Sequence, residues 1–154
     1  MSRIRFEAAE TIDARPEVIW DILTDYREAH PSILPKAFGP LEVEQGGKGA
    51  GTVMRFSLHV AGTTRNFHQT VSEPEPGRVL VESNTDGSGE TTFTLTPVDD
   101  GRRTHLRIVT AMDAHGGLMG ALERMMTPRM ILPIYHEELG NLAALAKRRS
   151  AAQV

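Results

Sequence analysis

The C-terminal stretch carries Leu118, Met119, Leu122, Met125, Met126, Met130, Ile134, Leu139, Leu142 and Leu145, spaced mostly by three and four residues. That spacing predicts one long amphipathic helix over roughly residues 116–149, laid against another surface. About ten such side chains, at ~1.5–3 kcal/mol each when fully buried, demand a partner. Upstream of Gly116 most segments read as short strands, so the expected partner is a sheet.

The strands are legible from their alternation. Ile4, Phe6, Ala8 and Ile12 share one parity against Arg3, Arg5, Glu7 and Thr11, a half-buried first strand in which only Glu10 breaks the rule. A helix follows, with Asp13 expected to cap it, Pro16 and Glu17 in its first turn, and Val18, Ile19, Ile22, Leu23 and Tyr26 on its buried face. Pro31 and Pro35 leave room only for a short helix or turn. Leu41 to Glu44 is a brief strand, and the glycine-rich stretch from Gly46 to Gly51 is a hairpin turn. It is no phosphate loop, because no Lys-Ser/Thr pair closes it and strand follows it.

The pair Thr52–Val60 and Thr64–Val71 is the most informative. A two-residue turn at Ala61-Gly62 or Gly62-Thr63 puts Met54, Phe56, Leu58 and Val60 on one face with Arg65, Phe67, Gln69 and Val71. The opposite face carries Arg55, Ser57, His59, Thr64, Asn66, His68 and Thr70. Pro74 to Gly77 is read as a turn, and Arg78 to Ser83 as a strand of ambiguous parity. Thr91, Phe93 and Leu95, then Leu106, Ile108, Thr110 and Met112, are the inward positions of two more strands joined by Asp99-Asp100-Gly101. The expectation is an α+β protein: a curved seven-stranded antiparallel sheet, two short helices after the first strand and one long C-terminal helix. Residues 1–149 form one domain and residues 150–154 a frayed tail.

This order resembles the START-like superfamily, also called the helix-grip or polyketide cyclase/dehydrase-like (SRPBCC) group. The resemblance is carried by Ile12 to Asp25, by Gly49 to Phe56 and by Glu137-Glu138-Leu139-Gly140-Asn141-Leu142, and it spans nearly the whole chain. It implies a hydrophobic cavity between the sheet and the last helix. It implies no particular chemistry, since the superfamily includes lipid and sterol carriers, hormone receptors, allergens, polyketide aromatases and cyclases, and chaperone co-factors, with no catalytic motif common to all. Pro128 and Pro133 depart from a plain last helix: either the helix bends around the sheet, or its methionine-rich first half acts as a hinged lid.

Composition excludes several other functions. A net charge of −3 offers no electrostatic footprint for nucleic acid. The absence of cysteine removes thiolate chemistry and fits a cytoplasmic protein, and the N-terminus has no apolar core of a signal peptide. No apolar run reaches the ~18 residues that suggest a membrane span. None of the six histidines is spaced as a His-x-His or His-x-x-x-His pair, so they read as surface residues and no metal or cofactor is expected.

The candidate ligand-binding residues are Met54, Phe56, Leu58, Phe67, Phe93, Leu95, Ile108, Leu122, Met126 and Met130 as apolar lining. Arg65, Gln69, Thr110 and Tyr26 are the polar candidates. An isolated inward charge at Arg65 costs several kcal/mol. Arg65 therefore either reaches solvent at its strand end or joins Gln69 in holding a carboxylate, carbonyl or phenol of a ligand; pairing with Glu10 is a third arrangement. Thr110 either binds a ligand or satisfies itself locally, and Tyr26 either gates the cavity or caps the core. The methionines suit an adaptable pocket as well as an ordinary core. The expected function is a soluble carrier, monomer or homodimer, for a hydrophobic lipid-, polyketide- or aromatic-type molecule. A polyketide cyclase or aromatase-like enzyme and a chaperone co-factor-like interaction module are the alternatives.

Overall fold

The computed structural model describes residues 2–152. Its sheet runs in the order β1-β7-β6-β5-β4-β3-β2, with every neighbouring pair antiparallel. The strands are β1 (Arg3–Ile12), β2 (Glu42–Gln45), β3 (Val53–Val60), β4 (Thr63–Glu75), β5 (Val79–Asn84), β6 (Gly89–Val98) and β7 (Arg103–Asp113). Two short helices, α1 (Pro16–Thr24) and α2 (Ala29–Ile33), fill the excursion after β1, and α3 (Gly117–Ala152) closes the chain.

Register follows hydrophobic parity. Val60 pairs with Thr63, so Ala61 and Gly62 form the two-residue turn, with φ of 52° and 79°. Positive φ at both positions is the geometry that matches the right-handed twist of a hairpin. Phe56 then faces Phe67, and Met54 faces Gln69. At the β2–β3 connection the glycine-rich segment docks on the helical excursion, since Tyr26 N donates to Gly47 O and Gly49 N to Thr24 O, both at 2.9 Å.

Four local expectations change. The N-cap of α1 is Arg15 and no side chain caps it, so Asp13 does not play that part. Asp25 instead accepts from the backbone N–H groups of Arg27, Glu28 and Ala29 and opens α2. Pro74 belongs to β4, beside a register irregularity that accommodates its missing donor. Glu10 is exposed, because β1 is an edge strand and lets the side chain reach water. Finally α3 continues to Ala152, taking in Ser150; residues 153 and 154 lie outside the described residues.

The larger correction concerns the stripe on α3. One continuous helix carries both Pro128 and Pro133. Its second half is anchored by Leu139 and Leu142, which are buried against the sheet and α1–α2. Leu118, Met119, Leu122, Met125 and Met126 are 40–92 % exposed. Helical spacing reports which residues share a face; it does not report whether anything covers that face. Among the described residues nothing does.

Candidate functional site

Between the concave sheet and α3 lies a cavity of about 420 Å³, within the range usual for small-molecule sites. Met54, Phe56, Leu58, Phe67, Phe93, Ile108 and Met130 form apolar wall. Arg65, Gln69 and Thr110 also line it. Four expected residues do not. Leu95 packs into the core beyond the cavity, Tyr26 lies fully buried behind its wall, and Leu122 and Met126 stand in solvent. Phe6 from β1 and Ile131 and Tyr135 from α3 take part in their place.

Arg65 sits at the rim. Its side chain is exposed and its guanidinium lies 5.6 Å from the centre of the Phe67 ring, so it neither pairs with Glu10 nor enters the interior. Gln69, 6 % exposed, donates through Nε2 to Asn84 Oδ1 at 2.9 Å. Its Oε1 is buried without a partner. Thr110 belongs to a hydroxyl chain: its Oγ1 is 2.9 Å from Thr91 Oγ1 and 2.6 Å from Tyr135 Oη. Burial raises the Tyr135 phenol to about 12, with the Thr110 hydroxyl opposing it, so this chain stays neutral and can relay hydrogen bonds to a bound molecule.

The strongest chemistry was not foreseen. His30 from α2, Glu82 from β5 and Glu138 from α3 all line the cavity and are 2 %, 8 % and 4 % exposed. His30 Nδ1 lies 2.6 Å from Leu23 O. A carbonyl only accepts, so Nδ1 carries the proton and Nε2 is the free ring position. That nitrogen faces both acids, 3.9 Å from Glu82 Oε2 and 4.0 Å from Glu138 Oε2. The imidazole is held flat by Tyr26, whose ring stacks on it at 4.8 Å, and edge-on by Phe93 at 5.9 Å. Tyr26 Oη donates to Glu82 Oε2 at 2.7 Å.

These contacts set the two carboxyls apart. Burial raises Glu82, while the His30 charge and the Tyr26 hydroxyl pull it back toward the ionised form. Glu138 has no such donor: burial, and then the negative charge of Glu82, push it up to about 8. Near neutral pH Glu82 is thus the better anion and Glu138 the better proton holder. Neighbouring acids driven apart in this way can divide acid and base roles.

Each of the three was hidden for a physical reason. On β5 the inward residues are Leu80, Glu82 and Asn84 while Val79 and Val81 face outward, so hydrophobicity points to the wrong face. His30 sits in a five-residue helix, too short to show a period. Glu138 follows another glutamate, but it stands four residues before Leu142 and three after Tyr135, which places it on the inner face. That spacing was the available signal.

Comparison with known proteins agrees with this architecture. An NMR solution structure of the KanY protein matches with a TM-score of 0.82 and 25 % identity, covering 96 % of this chain and 99 % of that one. The Zhui aromatase/cyclase from Streptomyces sp. R1128 matches with a TM-score of 0.72 and 19 % identity, covering 97 % and 96 %. TTHA0849 from Thermus thermophilus matches with a TM-score of 0.74 and 20 % identity, covering 97 % and 99 %. No curated protein matches the sequence significantly. The match over residues 3–147 shows that the chain belongs to the family described as polyketide cyclase / dehydrase and lipid transport.

Proposed function

We propose that this chain binds a hydrophobic small molecule, of lipid, polyketide or aromatic type, in the cavity between the sheet and α3. The observation that carries this reading is a cavity of about 420 Å³ whose wall surface is mostly apolar and whose buried polar groups, His30, Glu82 and Glu138, converge. Transfer of each ligand methylene from water into it contributes ~0.8 kcal/mol. Polar contacts at His30, Glu82, Glu138, Gln69 and the Thr110–Tyr135 pair then fix orientation. A cavity beside Phe67 favours this over an interaction module that uses the sheet surface alone. Native mass spectrometry of the purified protein tests it. A retained hydrophobic adduct, or saturable uptake by stripped protein, is expected; neither under conditions that preserve the fold would overturn the reading.

A second reading is an enzyme resembling the polyketide cyclases and aromatases of the family. One observation favours it: a buried carboxyl poised near neutrality beside a free imidazole nitrogen. The cavity would hold a reactive chain in one folded conformation, and Glu138 would hold or deliver a proton at a carbonyl of that chain. Conversion of a poly-β-ketone surrogate into an aromatic product, read by its new absorbance and lost in Glu138→Gln, is the expected result. Equal rates with and without protein would exclude it.

A further inference from the structure

The polar groups of the cavity are unevenly distributed, and this bears on what enters it. At depth stand two carboxyl groups, both within 4.0 Å of one imidazole nitrogen. One of them, Glu82, has its donor in Tyr26. The Glu138 carboxyl has no hydrogen-bond partner among the described residues, and it lines the cavity. A second buried acceptor, Gln69 Oε1, is likewise without a partner on the cavity wall. Against these, the one arginine on the lining is Arg65, which is exposed at the rim, and no lysine lines the cavity among the described residues.

A buried acceptor without a donor costs free energy that a ligand's donor can recover, and the unpartnered Glu138 carboxyl offers an acceptor oxygen to the same donor. A ligand carboxylate at the same depth would instead meet the Glu82 carboxylate, with His30 alone to offset it. Phe6, Phe67, Phe93 and Tyr135 add aromatic surface around these acceptors, which accommodates a phenol ring or an ammonium face alike.

Building on the proposed binding role, we infer that the cavity selects hydrophobic molecules whose buried end is a hydrogen-bond donor, a hydroxyl, phenol or protonated amine seated at Glu138 and His30. Anionic head groups are excluded from that end. A ligand that also carries an anion lies with it toward Arg65, donor end inward. Arg65 and Gln69 therefore do not act together on one carboxylate: the first serves the rim, the second the interior.

Three probes on one skeleton test this by isothermal calorimetry at pH 7: 2-naphthol, 2-naphthylmethylamine and 2-naphthoate. Naphthol and the amine are expected to bind about tenfold or more tightly than naphthoate. Glu138→Gln, nearly isosteric but with no acid proton to give up, is expected to weaken the amine and so shrink its gap over naphthoate, with naphthol affected less. The two donor classes separate by proton release. The amine should displace the Glu138 proton, within a setting of His30, Glu82, Tyr26 and Tyr135, and naphthol should not. Naphthoate binding as tightly as naphthol would overturn the selectivity and leave the binding role standing. Saturable binding by none of the three would remove both.

Discussion

Tyr26 Oη donates to Glu82 Oε2 at 2.7 Å across 56 residues of sequence, joining the helical excursion to the middle of the sheet. Both residues are buried, and the bond also sets the charge of the cavity floor. Tyr26→Phe removes the donor and leaves a buried carboxylate short of one partner. The expected loss is about 1.5–3 kcal/mol, since the bond is made to a charged group. The Glu82 carboxyl should also titrate higher, because the Tyr26 hydroxyl opposes its upward shift. Urea denaturation reads the first effect and carboxyl ¹³C chemical shifts the second.

Glu138 should make the protein less stable as pH rises. Its carboxyl is raised from 4.5 to about 8 in the folded state, so between those values the folded protein holds more protons than the unfolded chain. Stability then falls with rising pH across that window and levels off above it, by a few kcal/mol at most. Glu82, raised in the same direction, adds to the fall. Glu138→Gln should flatten the profile and be more stable than wild type at pH 8. Denaturation midpoints at pH 5 and pH 8 decide it; a wild type with the same slope as the variant would contradict the assignment.

The two halves of α3 should respond differently to truncation. Leu142 is 1 % exposed and Leu118 is 92 % exposed. Leu142→Ala is expected to cost about 2–5 kcal/mol, and Leu118→Ala to stay within about 0.5 kcal/mol. Equal losses would mean that the exposed half is covered in solution.

At the β3–β4 turn, Ala61 adopts φ 52° without the glycine or asparagine that this conformation favours. Ala61→Asn should stabilise by about 0.5–1 kcal/mol, a rise of about 1–4 °C in Tm. Loss of stability would show that Ala61 is held there by packing.

What was legible in the sequence followed from alternation, and what was hidden lay where alternation misleads. The hairpin carrying Met54, Phe56, Arg65, Phe67 and Gln69 assigned its own register, because only an even-length turn separates apolar from polar faces. β5 did the opposite, turning valines outward and Glu82 inward. The stripe on α3 was real as a periodicity, yet Leu118 to Met126 have no partner among the described residues to make it a core. His30 and Glu138 gain their meaning only from each other, 4.0 Å apart and on elements distant in the chain.

The central claim is that the space between the sheet and α3 is the binding site. Titration of protein carrying ¹³C-methyl methionine with 2-naphthol tests it most directly, because the methionines report from distinct places. Met54 and Met130 line the cavity, whereas Met119 and Met125 are 59 % and 50 % exposed. The predicted result is saturable shifts at Met54 and Met130 with Met119 and Met125 unmoved. Shifts confined to Met119 and Met125, or a linear drift of all four without saturation, would contradict it.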